Sequence, residues 1–190
     1  KKRLVKTWQG YWAYHASDHV WQAPPPARIT PNGNAILWSR ALGWNTVSKS
    51  SVPLGGGNCA AQVSWRLPHQ EHVMTAWSVH LEDAHIRLRQ RQKAALQSAV
   101  TRQLPQTQAC WVGGDFNENV ASTNWTPSSS SSRKVHWYRS SDQHITYEDP
   151  AEKATIDFIF SLQPLAPPTG HLTIPLGLAS TGSDHHIIWS

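Results

Sequence analysis

The chain has 190 residues, 39% hydrophobic and 15% charged, with a formal net charge of +5. This composition excludes an intrinsically disordered chain and fits one domain, residues 1–190, able to bury a substantial core. Two cysteines exclude a disulfide framework and a cysteine-rich zinc site; Cys59 and Cys110 read as small buried hydrophobes, with a single disulfide as the alternative.

The basic balance, with a sequence pI near 9.5, favours anionic partners such as nucleic acid, phosphorylated lipids or phosphate-bearing small molecules. No apolar run is long enough to cross a bilayer. Residues 1–6 lack the apolar core of a secretion signal; the compartment is left open, with a lean towards a soluble intracellular one. The composition says nothing about oligomeric state.

In chain order, residues 6–21 are rich in aromatics and mix helix and strand signals. The sequence carries 11 tryptophans, and Trp8, Trp12, Trp21 and Trp125 stand beside turn residues or charges, as expected at a surface or rim. Consecutive prolines at Pro24, Pro25 and Pro26 impose a loop. The Asn32-Gly33 pair marks a turn, and a short strand follows at Ala35 to Trp38. After a break at Gly55 to Gly57, two strands are predicted, Ala60 to Leu67 and His72 to Leu81, joined as a hairpin by Pro68 to Glu71.

Glu82 to Leu104 reads as the chain's main helix. Its partial apolar stripe is Ile86, Leu88, Ala95, Leu96, Ala99, Val100 and Leu104, and Pro105 ends it. Arg87, Arg89, Arg91 and Lys93 interrupt the stripe and read as a solvated face. Ala109 to Val112 is a buried strand running into Gly113-Gly114-Asp115-Phe116-Asn117. Ser128 to Ser132 is a loop, Lys134 to Tyr138 a strand, and Ile156 to Phe160 another. A last strand follows the turn at Gly182 to His185.

Four segments place a carboxylate, imidazole or amide where a predicted strand meets a loop. They are Val79-His80-Leu81, Gly113 to Asn117, Ile156-Asp157-Phe158-Ile159 and Ser183-Asp184-His185. These are the groups that phosphodiester hydrolysis uses. A carboxylate can take the proton of an attacking water, and an imidazole held by a carboxylate can donate to phosphate. A hard cation takes oxygen ligands and offsets charge developing on the phosphoryl oxygens. Asp115 and Asn117 straddle Phe116, so in an extended segment both face one side while Phe116 packs behind. Asp157 lies between apolar residues, and a carboxylate there needs a partner, for which His185 is the natural choice.

Gly-Asp-Phe-Asn, Ile-Asp-Phe-Ile and Ser-Asp-His, in this order and at these separations, resemble the endonuclease/exonuclease/phosphatase superfamily. Gly33 to Arg40 resembles the same family's Gly-Asn-Ala-Ile-Leu-Ser-Arg segment, and Val79-His80-Leu81 with the Arg-rich helix resembles its His-Leu strand and following helix. The resemblance covers Gly33 to the C-terminus. It implies an α/β, four-layer α/β/β/α sandwich of two mixed sheets, the deoxyribonuclease I-like fold. It also implies a metal-dependent phosphoester hydrolase, a nuclease or other phosphodiesterase using direct water attack. By that resemblance Asp115 acts on the nucleophilic water, Asn117 orients water or phosphate, and Asp157 holds His185, which polarises the scissile phosphate. Asp184 helps bind Mg2+ or Mn2+, His80 stabilises the pentacovalent phosphate or assists the leaving group, and Asn34 binds substrate. The substrate is a phosphodiester, with nucleic acid slightly favoured by the charge.

The family's domain opens with a strand bearing an Asn and then a Gln-Glu segment whose Glu is the chief metal ligand. Neither precedes Gly33, and Glu71 is the first Glu of the sequence. Residues 8–40 resemble the stretch that follows that Glu, so the expected sandwich lacks its first strand and helix. This departure motivates the alternative function, a catalytically inactive domain of the same fold serving as a binding or structural subunit.

Overall fold

The computed structural model describes residues 8–14, 33–69, 71–118, 137–139, 146–148, 153–162, 172–174 and 187–189. Their elements run β1 (Trp8–Tyr14), β2 (Gly33–Ser39), β3 (Asn45–Gly55), β4 (Asn58–Arg66), β5 (Val73–His80), α1 (Ile86–Gln103), β6 (Ala109–Asp115), β7 (Trp137–Arg139), β8 (Tyr147–Glu148), β9 (Lys153–Ala154), β10 (Asp157–Leu162), β11 (Leu172–Ile174) and β12 (Ile187–Trp189).

Six strands form a mixed sheet in the order β3-β4-β5-β6-β10-β7. The β5–β6 pair is parallel and the other neighbours are antiparallel. A parallel neighbour needs a crossover, and α1 supplies it, covering one face of the sheet. The antiparallel β1–β2 pair packs over β4 and β5. Among the described residues the layers are therefore α1, the six-stranded sheet and the β1–β2 pair, an α/β architecture with sheet stacked on sheet.

The period-two alternation of the strands sorts their side chains between two cores. Towards α1, Ala60, Trp77, Val79, Leu81, Cys110, Val112, Phe116, Phe158 and Phe160 pack with Leu96, Ala99 and Val100. On the other face, Cys59, Ala61, Val63 and Trp65 of β4 meet Ile36 and Trp38 of β2. Trp38 and Trp65 meet edge to face at 5.2 Å. Strand β4 is thus buried on both sides, and the polar residues of its α1-facing side, Gln62 and Ser64, hydrogen-bond each other at 2.6 Å. Cys59 and Cys110 are buried in different cores and are not joined, so the disulfide alternative falls.

Three expectations change. Strand β3 was not foreseen. It is an edge strand, largely exposed, with Lys49 and Pro53 among polar residues, and edges of this kind carry no apolar period. The helix begins at Ile86, not Glu82, because residues 82–85 form a loop in which the Glu82 N–H donates to Gln92 Oε1 at 2.8 Å. Ile86 is 64% exposed, and the buried stripe is Gln92, Leu96, Ala99 and Val100. The expectations at Trp21, Trp125 and Ser128 to Ser132 lie outside the described residues. No described helix is long and apolar enough to cross a membrane.

Candidate active site

Strands β5, β6 and β10 lie side by side, and their register sets three candidate side chains in a row. His80 is the cross-strand partner of Asp115, and Asp115 is the partner of Asp157. By alternation all three project from the face opposite α1, since their neighbours Val79, Phe116 and Phe158 are buried beneath it. His80 Nε2 stands 3.6 Å from Asp115 Oδ2, too long for a hydrogen bond but within ion-pair range. The His80 side chain is 55% exposed and that of Asp115 only 13%, so the imidazole forms the solvent side of the row and the carboxylate its floor.

The backbone around the row is closely tied. Leu81 N–H donates to Asp115 O at 3.0 Å and Phe116 N–H to Ile156 O at 2.8 Å, extending the pairing past the strand ends. Phe116 inserts edge-on against Phe160 at 5.1 Å and Phe158 at 6.2 Å, packing behind Asp115 as alternation predicts. Asn117 does not continue the extended segment. It takes φ +49, a left-handed conformation that Asn tolerates. That turn brings its N–H onto Asp115 Oδ1 at 2.7 Å, while its side-chain Nδ2 donates to Leu81 O at 2.8 Å. The amide therefore braces the carboxylate and both strand exits at once.

Asp157 is set by a residue that sequence reasoning did not name. Thr146, buried to 2% exposure, accepts at its Oγ1 from the N–H groups of both Ile156 and Asp157, each at 3.0 Å. Asn34 is buried on β2 and donates from Nδ2 to Cys59 O at 2.7 Å. Ala61 pairs with Ser78, so Cys59 lies at the end of the sheet that carries His80, and Asn34 sits at that same end. A cleft of ≈ 630 Å3 opens between β2 and the sheet, walled by Trp38, Trp65, Trp111 and Ile159 and reaching Asp157. Asp184 and His185 lie outside the described residues. Strand β12 begins just after them and contacts β10, the strand of Asp157.

The donors assembled here are carboxylate oxygens and an imidazole, hard-ligand chemistry that suits Mg2+ or Mn2+. Among the described residues, however, no three such side chains converge on a metal position. The Cys110 thiol contributes nothing at neutral pH, because burial pushes it up to about 12.

No protein-family model and no curated protein sequence matches this chain. Solved structures do. An endonuclease/exonuclease/phosphatase from Bacteroides vulgatus superposes with a TM-score of 0.72 at 12% identity, over 96% of this chain and 74% of that one. The human Nocturnin catalytic domain with bound sulfate gives 0.64 at 15% identity, over 97% and 72%. A mannosyl-6-phosphatase from Bacteroides thetaiotaomicron gives 0.66 at 13% identity, over 96% and 75%. By these superpositions the chain has the fold of the endonuclease/exonuclease/phosphatase family, the deoxyribonuclease I-like fold.

Proposed function

We propose that this protein is a metal-dependent phosphoester hydrolase in which water attacks phosphorus directly, without a covalent enzyme intermediate. The observation that carries this reading is the row His80, Asp115 and Asp157 across three adjacent strand ends. Asp115, held by the Asn117 N–H, takes the proton of the attacking water as its oxygen forms the new bond to phosphorus. Asn117 orients that water or the phosphate. Asp157 keeps His185 in place to donate to a phosphoryl oxygen. His80, at the open end of the row, stabilises the pentacovalent phosphate or supplies a proton to the departing oxygen. Asn34 contributes to substrate binding from β2. Asp184 would help hold Mg2+ or Mn2+, which would neutralise charge developing on the phosphoryl oxygens. Two of the similar structures support the reading, one being a phosphatase and the other holding a sulfate. The net charge of +5 favours a nucleic-acid phosphodiester slightly over a lipid or small-molecule one.

The test is hydrolysis of a generic phosphodiester in oxygen-labelled water, with Mg2+ and with chelator. Label on the product phosphate, in Mg2+ only, is the expected outcome. Label on the leaving alcohol would place the attack elsewhere than on phosphorus. Absence of turnover from folded protein would leave the inactive binding domain as the reading.

A further inference from the structure

We propose that Glu118 is a positioning residue of this site, held by Lys93 and Arg89 of α1; the proposal rests on the hydrolase reading above. The cations of α1 read from sequence as a solvated face, and Arg87 and Arg91 are indeed exposed. Lys93 and Arg89 are not, with side chains only 14% and 11% exposed. Lys93 Nζ donates to Glu118 Oε2 at 3.0 Å, Gln90 Nε2 reaches both carboxylate oxygens at 3.2 and 3.3 Å, and Arg89 Nε lies 4.0 Å away. Two hydrogen-bond donors and a guanidinium at ion-pair distance, from consecutive turns of one helix, thus converge on one carboxylate.

Glu118 directly follows Asn117. Fixing Glu118 therefore fixes the left-handed turn at Asn117, and with it the N–H that bonds Asp115 and the amide that bonds Leu81. Arg89 reaches the other loop as well: its Nη1 donates to Glu82 O at 2.9 Å and Asp83 O at 2.7 Å, just beyond Leu81. One helix face therefore ties together the exit of β5, which carries His80, and the exit of β6, which carries Asp115. The charge of Lys93 is spent on Glu118 and is not presented to a phosphate. Glu118 touches no reacting atom in this account; it acts through Asn117 and Asp115.

The test compares Glu118→Gln, Lys93→Met, the double variant and the exposed-cation control Arg91→Met, by Mg2+-dependent phosphodiester turnover and by amide hydrogen exchange. Each single variant should lower kcat about tenfold with KM nearly constant, since small misplacements of reacting groups act on the chemical step. The double variant should be no worse than either single, because both remove the same interaction. Arg91→Met should match wild type. The Leu81 and Asn117 amides should exchange faster while Val79 and Val112 stay protected. Unchanged kcat, additive losses, or loss of protection at Val79 and Val112 would each overturn the proposal. If wild type lacks turnover altogether, the hydrolase reading fails on its own. Exchange then decides whether Glu118 holds the loop: local loosening supports that role and unchanged exchange overturns it.

Discussion

Gly114 is the position where a single methyl group does the most damage to this architecture. It sits in β6 at φ +137, a conformation L side chains rarely adopt, directly across from Val79 of β5. A Cβ added there would lie 2.0 Å from Val79 O and 3.0 Å from both Val79 C and N. Those are backbone atoms of a neighbouring central strand, so they cannot move aside as the tip of a flexible side chain can. The strained φ costs about 1–3 kcal/mol. Forcing the strands apart adds a further ~1–3 kcal/mol. Gly114→Ala should therefore lose about 2–6 kcal/mol, a large share of the ~5–15 kcal/mol of a typical domain. In urea that is a midpoint shift on the order of 2 M, for a slope near 2 kcal/mol/M. Gly113→Ala is the control: its Cβ would lie 3.4 Å from Ile159 Cγ1 and 3.6 Å from Phe158 O, contacts that small adjustments accommodate, and it should lose far less. A Gly114→Ala midpoint equal to that of Gly113→Ala would refute the reasoning. Because Val79 leads into His80, a surviving Gly114→Ala protein should also show reduced turnover.

Two further predictions concern buried groups. Thr146→Val keeps the shape but removes the acceptor shared by the Ile156 and Asp157 N–H groups, and should cost about 1–3 kcal/mol by urea unfolding, with a fall in activity; a neutral outcome in both would show that Thr146 does not hold β10. Cys110 makes stability fall at alkaline pH: its thiol ordinarily titrates near 9.0 and in the fold near about 12, so between these values the unfolded chain has released a proton that the folded one keeps. That contribution is complete below pH 9 and is lost as pH rises towards 12, at up to about 1.4 kcal/mol per pH unit. Cys110→Ala should flatten this part of the stability profile, and an unchanged profile would contradict the burial argument.

His80, Asp115 and Asp157 were legible as candidates because each stands at a terminus of an apolar strand, where period two and the neighbouring turn set both its depth and its face. Their mutual register was not legible there, since a strand's partners are set by long-range pairing. Strand β3 escaped notice for the opposite reason, as an exposed polar edge without a period. Asn117 was expected to share a face with Asp115 by extension; the structure brings the two together through a left-handed turn. Thr146 and Glu118 carried no local signal at all. One acts on amides ten and eleven residues away, and the other gains its meaning only when α1 folds back over the exit of β6. The same return of the chain turns Lys93 and Arg89 from a solvated face into partly buried anchors.

The most direct measurement is the rate of Mg2+-dependent hydrolysis of bis(para-nitrophenyl) phosphate by the wild-type chain and by Asp115→Asn, with folding of both verified by thermal unfolding. The account predicts measurable turnover in wild type and a loss of about a hundredfold or more in the variant, the range of a positioned general base. Equal turnover in the two proteins, or none in either, would contradict it.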